Sequence, residues 1–284
     1  MRTVGVMRAK VFSPGSVEKD RAILEAVVGT AGGILVSEDE LDGRLPEADI
    51  YLSMARKQST LRLLNDMERK GRRVVNTTVG VARCRRDTST MIMRQGRLPL
   101  PDGDGSNGWW IKRCDGAACE VHDVQYCHDT ERLRLAIQRF EKRNIPYIIE
   151  PHVEGDLLKF YGVADSFFHV VRPQELASTD KFGNPFTNSV PLHHAFDHGK
   201  LASDMARAAA LIGVEIYGGD AIVRADGSYA IIDFNDWPSF SRCRAEAAVA
   251  IADCLCAAIR GRRSPMCPHD TAHASAGQDV LSGI

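Results

Sequence analysis

Gly218-Gly219-Asp220-Ala221-Ile222-Val223 and Ile231-Ile232-Asp233-Phe234-Asn235 are two apolar runs separated by Arg224-Ala225-Asp226-Gly227-Ser228-Tyr229 and Ala230. Asp-Gly between apolar runs is a strong short-range signal for a tight hairpin. If Asp226 and Gly227 form a two-residue loop, cross-strand partners have residue numbers summing to 453. Asp220 then lies directly opposite Asp233, and Asn235 projects from the same face two residues further along. Facing carboxylates destabilise a sheet unless something neutralises them. A hard cation with oxygen ligands is the simplest remedy, and Mg2+ held by few protein carboxylates usually also holds substrate phosphates. An exposed hairpin whose acids face water is the alternative; Ile222 and Ile231, expected on the same face, argue against it. An odd-length loop with a bulge would break this register.

The chain has 284 residues, 44% hydrophobic content and a formal net charge of -1, so it can bury a large core and carries no global basic field for nucleic acid. No apolar run approaches the length of a membrane span. The start, Met1-Arg2-Thr3-Val4-Gly5-Val6-Met7, reads as a strand rather than a signal peptide. The eight cysteines follow no disulfide framework and no Cys-x-x-Cys pattern, which suits reduced thiols and a cytoplasmic location. Cys114, Cys119, Cys127 and His128 are loosely clustered, but their spacing fits no zinc template, and cysteines packed as small hydrophobes are expected there.

Strand and helix alternate through residues 1–82, with helices expected at 17–28, behind a Ser16 cap, and at 59–70. This is a small α/β domain. Residues 83–150 hold a helix at 83–94, a turn-rich loop at 102–108, a strand centred on Trp110-Ile111-Lys112, and an Asp129-capped helix at 130–143. Residues 151–261 contain further strands, a helix from Asp197, the hairpin and an Ala-rich helix from Arg244. Residues 262–284 shift to Pro, His, Ser, Gly and Ala, the composition of a disordered tail.

A Lys inside a strand, a hinge with an acid, a basic residue on the next strand, then Asp and a late Asp-x-Asn follow one another in this chain. The pieces are Trp110-Ile111-Lys112-Arg113, Ile148-Ile149-Glu150-Pro151-His152-Val153, Gly155-Asp156-Leu157-Leu158-Lys159-Phe160, and Gly219-Asp220…Asp233-Phe234-Asn235. From Val4 to about Ile259 this order resembles the ATP-grasp superfamily. The resemblance implies an α/β fold with a small N-terminal α/β domain followed by central and C-terminal α+β ATP-grasp subdomains, with ATP and Mg2+ as cofactors. Lys112 would contact nucleotide phosphates as a point charge. Trp109-Trp110-Ile111 before it suggest a buried strand, where an ordinary solvated Lys would be costly. Glu150, Pro151 and His152 would form the adenine hinge through their backbone, and Glu154 would meet the ribose hydroxyls or stand as a solvated loop acid. Lys159 and Arg172 would handle the phosphoryl group or a transferring oxyanion, or be surface cations. Asn188 would assist the metal site. Asp220, Asp233 and Asn235 would hold Mg2+ across the terminal phosphates.

Departures from the family pattern bear on the reaction. The segment between Lys112 and the hinge, 114–122, has a single Gly where many members carry a Gly-rich lid. No Walker lysine loop and no dinucleotide Gly fingerprint occurs. Phe186-Thr187-Asn188-Ser189-Val190 resembles part of the ribosomal-protein glutamate ligases, with Thr187 in place of an Arg. That branch implies a carboxylate–amine ligase acting through an acylphosphate on a small-molecule or short-peptide acceptor. Lys112…Ala117…Val121-His122, with Lys159 and Arg172, resembles the inositol tris- and tetrakisphosphate kinases instead. There His122 would contact substrate phosphates, and Arg8, Lys10, Arg56 and Lys57 would supply further cations. A nucleotide-binding regulator without turnover is a third reading, disfavoured by the retained Asp, Asp-x-Asn and Lys set. The expected partners include neither nucleic acid nor membrane.

Overall fold

The computed structural model describes residues 2–13, 15–115, 120–173 and 192–259. Its first sheet is parallel, in the order β2-β1-β3-β4, with β1 Thr3–Met7, β2 Gly33–Ser37, β3 Ile50–Ser53 and β4 Arg73–Val75. Helices α1 (Val17–Ala31) and α2 (Gln58–Arg69) make the crossovers. Such crossovers cover both faces of a parallel sheet, which is why β1 and β3 are buried throughout. Ser16 occupies the α1 N-cap position without a side-chain capping bond, and α1 ends at Gly32, φ 69°. Gly32 takes the left-handed conformation that suits glycine.

Two short helices follow, α3 (Thr78–Arg83) and α4 (Arg86–Gln95), where the sequence suggests one helix. Thr77 caps α3 by accepting the Gly80 amide at 3.0 Å. The second sheet is antiparallel, β6-β5-β7, built from β5 (Trp109–Arg113), β6 (Val124–Cys127) and β7 (Tyr147–Pro151). Strand β6 falls in a segment that reads as irregular from sequence. Helix α5 (Thr130–Lys142), capped by Asp129 on the Arg132 amide at 2.7 Å, packs Ala136 and Phe140 on Ile111 and Cys127. Cys114 and Cys127 are buried; Cys119 lies outside the described residues.

The third sheet has the order β11-β10-β8-β9 and is antiparallel: β8 Asp156–Val163, β9 Phe167–Val171, β10 Ile216–Val223 and β11 Tyr229–Asp236. Helix α6 (His198–Ile212) covers one face, burying Leu201, Met205 and Ile212 against Phe160, Ala221 and Phe234; Met93 of α4 joins this core. On the opposite face, one end packs against α1 and α7 (Arg244–Ile259). The first and third sheets are tied through Asn76. Its side chain donates to the Ile216 carbonyl at 2.6 Å and accepts from the Glu215 and Ile216 amides at 2.8 and 2.9 Å. The Trp237 indole N–H adds a bond to the Val75 carbonyl at 3.0 Å. The second sheet instead faces the open part of the third, leaving a cleft between them. Among the described residues, no helix is long and apolar enough to cross a membrane. The expected tail, 262–284, lies outside those residues.

Candidate active site

The hairpin of β10 and β11 closes differently from the two-residue loop expected. Arg224 and Ser228 pair (N to O, 2.8 Å), the Gly227 amide reaches the Arg224 carbonyl at 3.0 Å, and Gly227 takes φ 82°. The loop is thus the three residues Ala225-Asp226-Gly227, with glycine at the left-handed position. Near the turn the register shifts accordingly, pairing Val223 with Tyr229 and Ala221 with Ile231. A bulge then inserts Ile232 as an extra residue, and Asp220 meets Asp233, Gly219 meets Phe234 and Gly218 meets Asn235. Two one-residue offsets cancel. Ile231 is turned to the α6 face, a correction to the face expected for it, and Ile232 takes its place beside Ile222. Gly219 is required at the bulge, because a Cβ there would lie 2.1 Å from the Asp233 carbonyl oxygen.

A row of three charged side chains crosses the sheet at this level. Lys159 is directly opposite Asp220 on β8, and Asp233 is opposite it on β11. The Lys159 ammonium donates to Asp220 Oδ1 at 2.8 Å. Burial raises the Asp220 pKa, and the neighbouring Asp233 charge adds to this, against the opposing pull of Lys159. Burial acts on Asp233 in the same sense, but Arg86 and Lys112 outweigh it and hold that carboxyl below its ordinary range. Arg86, at the start of α4, donates to Asp233 Oδ1 at 3.2 Å and to the Arg113 carbonyl at 2.5 Å. Asn235 donates to Asp233 Oδ2 at 3.2 Å. Arg86 is not among the residues that the sequence motifs single out. Only the need of a second half-buried carboxylate for its own cation points to it, and its run Arg83-Cys84-Arg85-Arg86-Asp87 has no distinguishing pattern.

Across the cleft, Lys112 projects from β5 towards this row. Its ammonium donates to Glu150 Oε2 at 2.6 Å and to the Ile232 carbonyl at 2.7 Å. The bulge therefore presents a carbonyl that the lysine uses to bridge the second and third sheets. Lys112 and Glu150 are both buried. Glu150, Trp110 and Tyr126 share the cleft face of the second sheet, Trp110 being opposite both of the others. The Trp110 indole N–H donates to His152 Nδ1 at 3.0 Å, and Tyr126 completes the cluster with ring centroids 5.5 and 5.2 Å from Trp110 and His152. The His152 amide bonds the Gly108 carbonyl at 2.9 Å, so it is unavailable to a base, contrary to the hinge expectation. By strand alternation the Ile149 and Pro151 carbonyls point away from β5, along the free edge of β7. Glu154 is exposed just beyond, beside His152 in a cleft of about 360 Å³ that also meets the 102–107 loop. Below the hinge, Val153, Leu157, Ile222, Ala230 and Ile232 form an apolar wall.

The remaining expected site residues lie apart. Arg172 follows Val171, the partner of Lys159, and so points to the α6 face; it donates to the His194 carbonyl at 2.7 Å and stacks its guanidinium over Phe196. It anchors the segment before α6 and stands apart from the Lys159–Asp220–Asp233 row. His122 lies in the 3₁₀ turn before β6 and lines a groove with α5, on the side of the second sheet opposite Lys112. Asn188 lies outside the described residues. At the C-terminal ends of β1 and β3, Arg8 lies 3.1 Å from Asp20, Arg56 bonds Asp236 at 2.6 Å and Lys57 bonds Asp39 at 2.8 Å. Lys10 is exposed there.

No family model and no curated protein matches the chain. Solved structures do. D-alanine–D-alanine ligase from Bacillus anthracis superposes with a TM-score of 0.63 at 12% identity, over 92% of this chain and 96% of that one. The same ligase complexed with ATP gives 0.59 at 12% identity, over 89% and 94% of the two chains. The ATP-grasp ligase PsnB, complexed with a phosphomimetic variant of its minimal precursor, Mg and ADP, gives 0.61 at 15% identity, over 88% and 96%. This chain has the ATP-grasp fold. At such identities the ATP-grasp likeness is one of architecture, and the chemistry rests on the residues themselves.

The donors fit a hard cation. Asp220, Asp233 and Asn235 offer only oxygen ligands to it, and two carboxylates suit a magnesium ion that completes its shell with phosphate and water. Among the described residues, no group of three or more His, Cys, Asp and Glu side chains converges to hold a metal without such help.

Proposed function

We propose that this chain is a Mg-ATP-dependent carboxylate–amine ligase that activates its acceptor as an acylphosphate. The observation that carries this reading is the facing pair Asp220 and Asp233 on one side of the cleft, with the Lys112 ammonium reaching across it from the other. When bound, MgATP supplies a transferable phosphoryl group. Asp220, Asp233 and Asn235 would hold the metal. Arg86 and Lys159, each now bonded to one carboxylate, would turn towards phosphate oxygens as the metal takes their place, so charge is redistributed rather than added. Lys112 would bond the nucleotide phosphates. The outward Ile149 and Pro151 carbonyls and the apolar wall from Val153 to Ile232 suit a purine that offers an exocyclic amine. The apolar wall would help keep water from the reacting centre, which matters because an acylphosphate is lost to hydrolysis.

The C-terminal ends of β1 and β3, between which the strand order of the parallel sheet reverses, are the expected side for the acceptor. A polyphosphorylated polyol would need several free cations there. Arg8, Arg56 and Lys57 are each paired with an acid, and His122 lies behind the second sheet, which supports a carboxylate acceptor over an inositol-phosphate-like one. The test is Mg-ATP consumption against amino acids, short peptides and inositol phosphates, reading nucleotide and phosphate together. The ligase gives ADP and stoichiometric free phosphate only when carboxylate and amine are both present. Phosphate retained on a polyol would overturn the ligase. Asp233→Ala abolishes turnover, and surviving Mg2+-dependent activity in that variant would refute the metal assignment.

A further inference from the structure

Behind the second sheet, away from the cleft, a groove of about 840 Å³ runs between α5 and β6. Arg132, Arg139 and Lys142 line it, all exposed, and all from one flank of α5. Among the described residues none of the three is in an ion pair; Arg139 only donates to the Gln125 side chain at 2.9 Å. Both acids of the lining are already engaged. Glu131 holds Arg134 at 2.7 Å, and Asp129 caps α5 and lies 2.9 Å from His128. Leu135, 45% exposed, adds an apolar side chain between the cations.

Beside this stripe the sheet ends. Among the described residues β6 pairs only with β5, so its outer row of N–H and C=O groups has no ladder partner. An open edge next to a side-chain groove is the arrangement that takes an added strand, the backbone giving affinity and alternate side chains giving specificity. The dimensions agree. From Arg132 to Lys142 is about 15 Å along a helix, and three same-face residues of a strand span about 13 Å.

We propose that this edge docks an acidic segment of a partner polypeptide in extended form, hydrogen-bonded to β6, with alternate Asp or Glu side chains against Arg132, Arg139 and Lys142. Three cations beside an open strand edge, in a chain of net charge -1, favour such a peptide over a nucleic acid. The site is independent of the nucleotide cleft, which lies on the other face of the second sheet.

The test titrates the full chain into a fluorescein-labelled decapeptide of alternating Glu and Val, followed by anisotropy. Saturable binding is expected, weakening with salt, together with slowed hydrogen exchange at the β6 amides. N-methylation of alternate peptide amides abolishes it. Arg132→Glu/Arg139→Glu/Lys142→Glu weakens it by at least about tenfold, since like charges then face each other. Arg132→Gln/Lys142→Gln, which keeps Arg139 and its bond to Gln125, gives an intermediate loss. Mg-ATP turnover stays unchanged in both. Equal binding of a Lys-Val decapeptide, displacement by an oligo-dT decamer, or unchanged affinity in the triple variant would overturn the proposal.

Discussion

Lys112 and Glu150 lend themselves to a double-mutant cycle. Their side chains are 9% and 7% exposed and 2.6 Å apart, and the ammonium has a second acceptor in the Ile232 carbonyl. Lys112→Met leaves the Glu150 carboxylate buried and unpaired. Glu150→Leu leaves the ammonium with a single neutral acceptor. Breaking a buried pair from one side costs about 3–5 kcal/mol, because the remaining charge is uncompensated. The double variant Lys112→Met/Glu150→Leu removes both charges and strands only the Ile232 carbonyl, a loss of about 1–3 kcal/mol. It is therefore expected to be more stable than either single variant, with a coupling of at least about 3 kcal/mol. Urea unfolding of the four proteins, followed by tryptophan fluorescence and near-ultraviolet circular dichroism, measures this. Single losses below about 1 kcal/mol that add in the double variant would show the pair to be solvent-screened. The bridge from β5 to the β11 bulge would then not exist as described.

The two facing carboxylates are expected to respond oppositely to removal of their charge. Asp220 has a raised pKa, so the unfolded chain releases that proton first as pH rises; its ionised form opposes folding above that window, and Asp220→Asn holds or raises the urea midpoint at neutral pH while abolishing turnover. Asp233 has a lowered pKa, so its stabilising contribution is present above the unfolded carboxylate pKa and lost as pH falls through the folded one; Asp233→Asn lowers the midpoint at neutral pH and removes part of the acid sensitivity. Burial lowers the His152 pKa against a weaker pull from Glu154, so its neutral ring keeps accepting from Trp110 until pH falls below the ordinary histidine range. Trp110 fluorescence should change there, and the step should vanish in His152→Phe; an unchanged step assigns it elsewhere. Gly219→Ala brings a methyl group onto the Asp233 backbone and is expected to cost about 1–3 kcal/mol and displace the bulge, read as lost stability and lost Mg2+-dependent turnover together.

The carboxylate pairing shows how far local pattern carries and where it stops. Apolar runs flanking Asp-Gly announce the hairpin, and alternation then places Asp220 against Asp233. Yet the two-residue loop behind that pairing is not the loop that forms. Ser228 accepts the Arg224 amide, Gly227 takes the left-handed position, and the resulting offset would turn Asp233 away from Asp220. The bulge at Ile232 restores it, and nothing in Ile231-Ile232 distinguishes the bulged residue from its neighbour. The cue lies in the opposite strand, where Gly218-Gly219 allows the backbone of Asp233 to come close. Residues whose role depends on strand parity were legible only as far as the parity was. Lys159 and Asp220 follow regular alternation and meet, whereas Arg172, one residue past the partner of Lys159, turns to the other face. Arg86 and the Ile232 carbonyl depend on packing between distant elements, which no local pattern records. The bulge is thus more than a correction of register: it turns out a carbonyl that the β5 lysine reaches at 2.7 Å. The element that aligns the two carboxylates thus also ties the two sides of the cleft together, beside the link that Arg86 makes between the Arg113 carbonyl and Asp233.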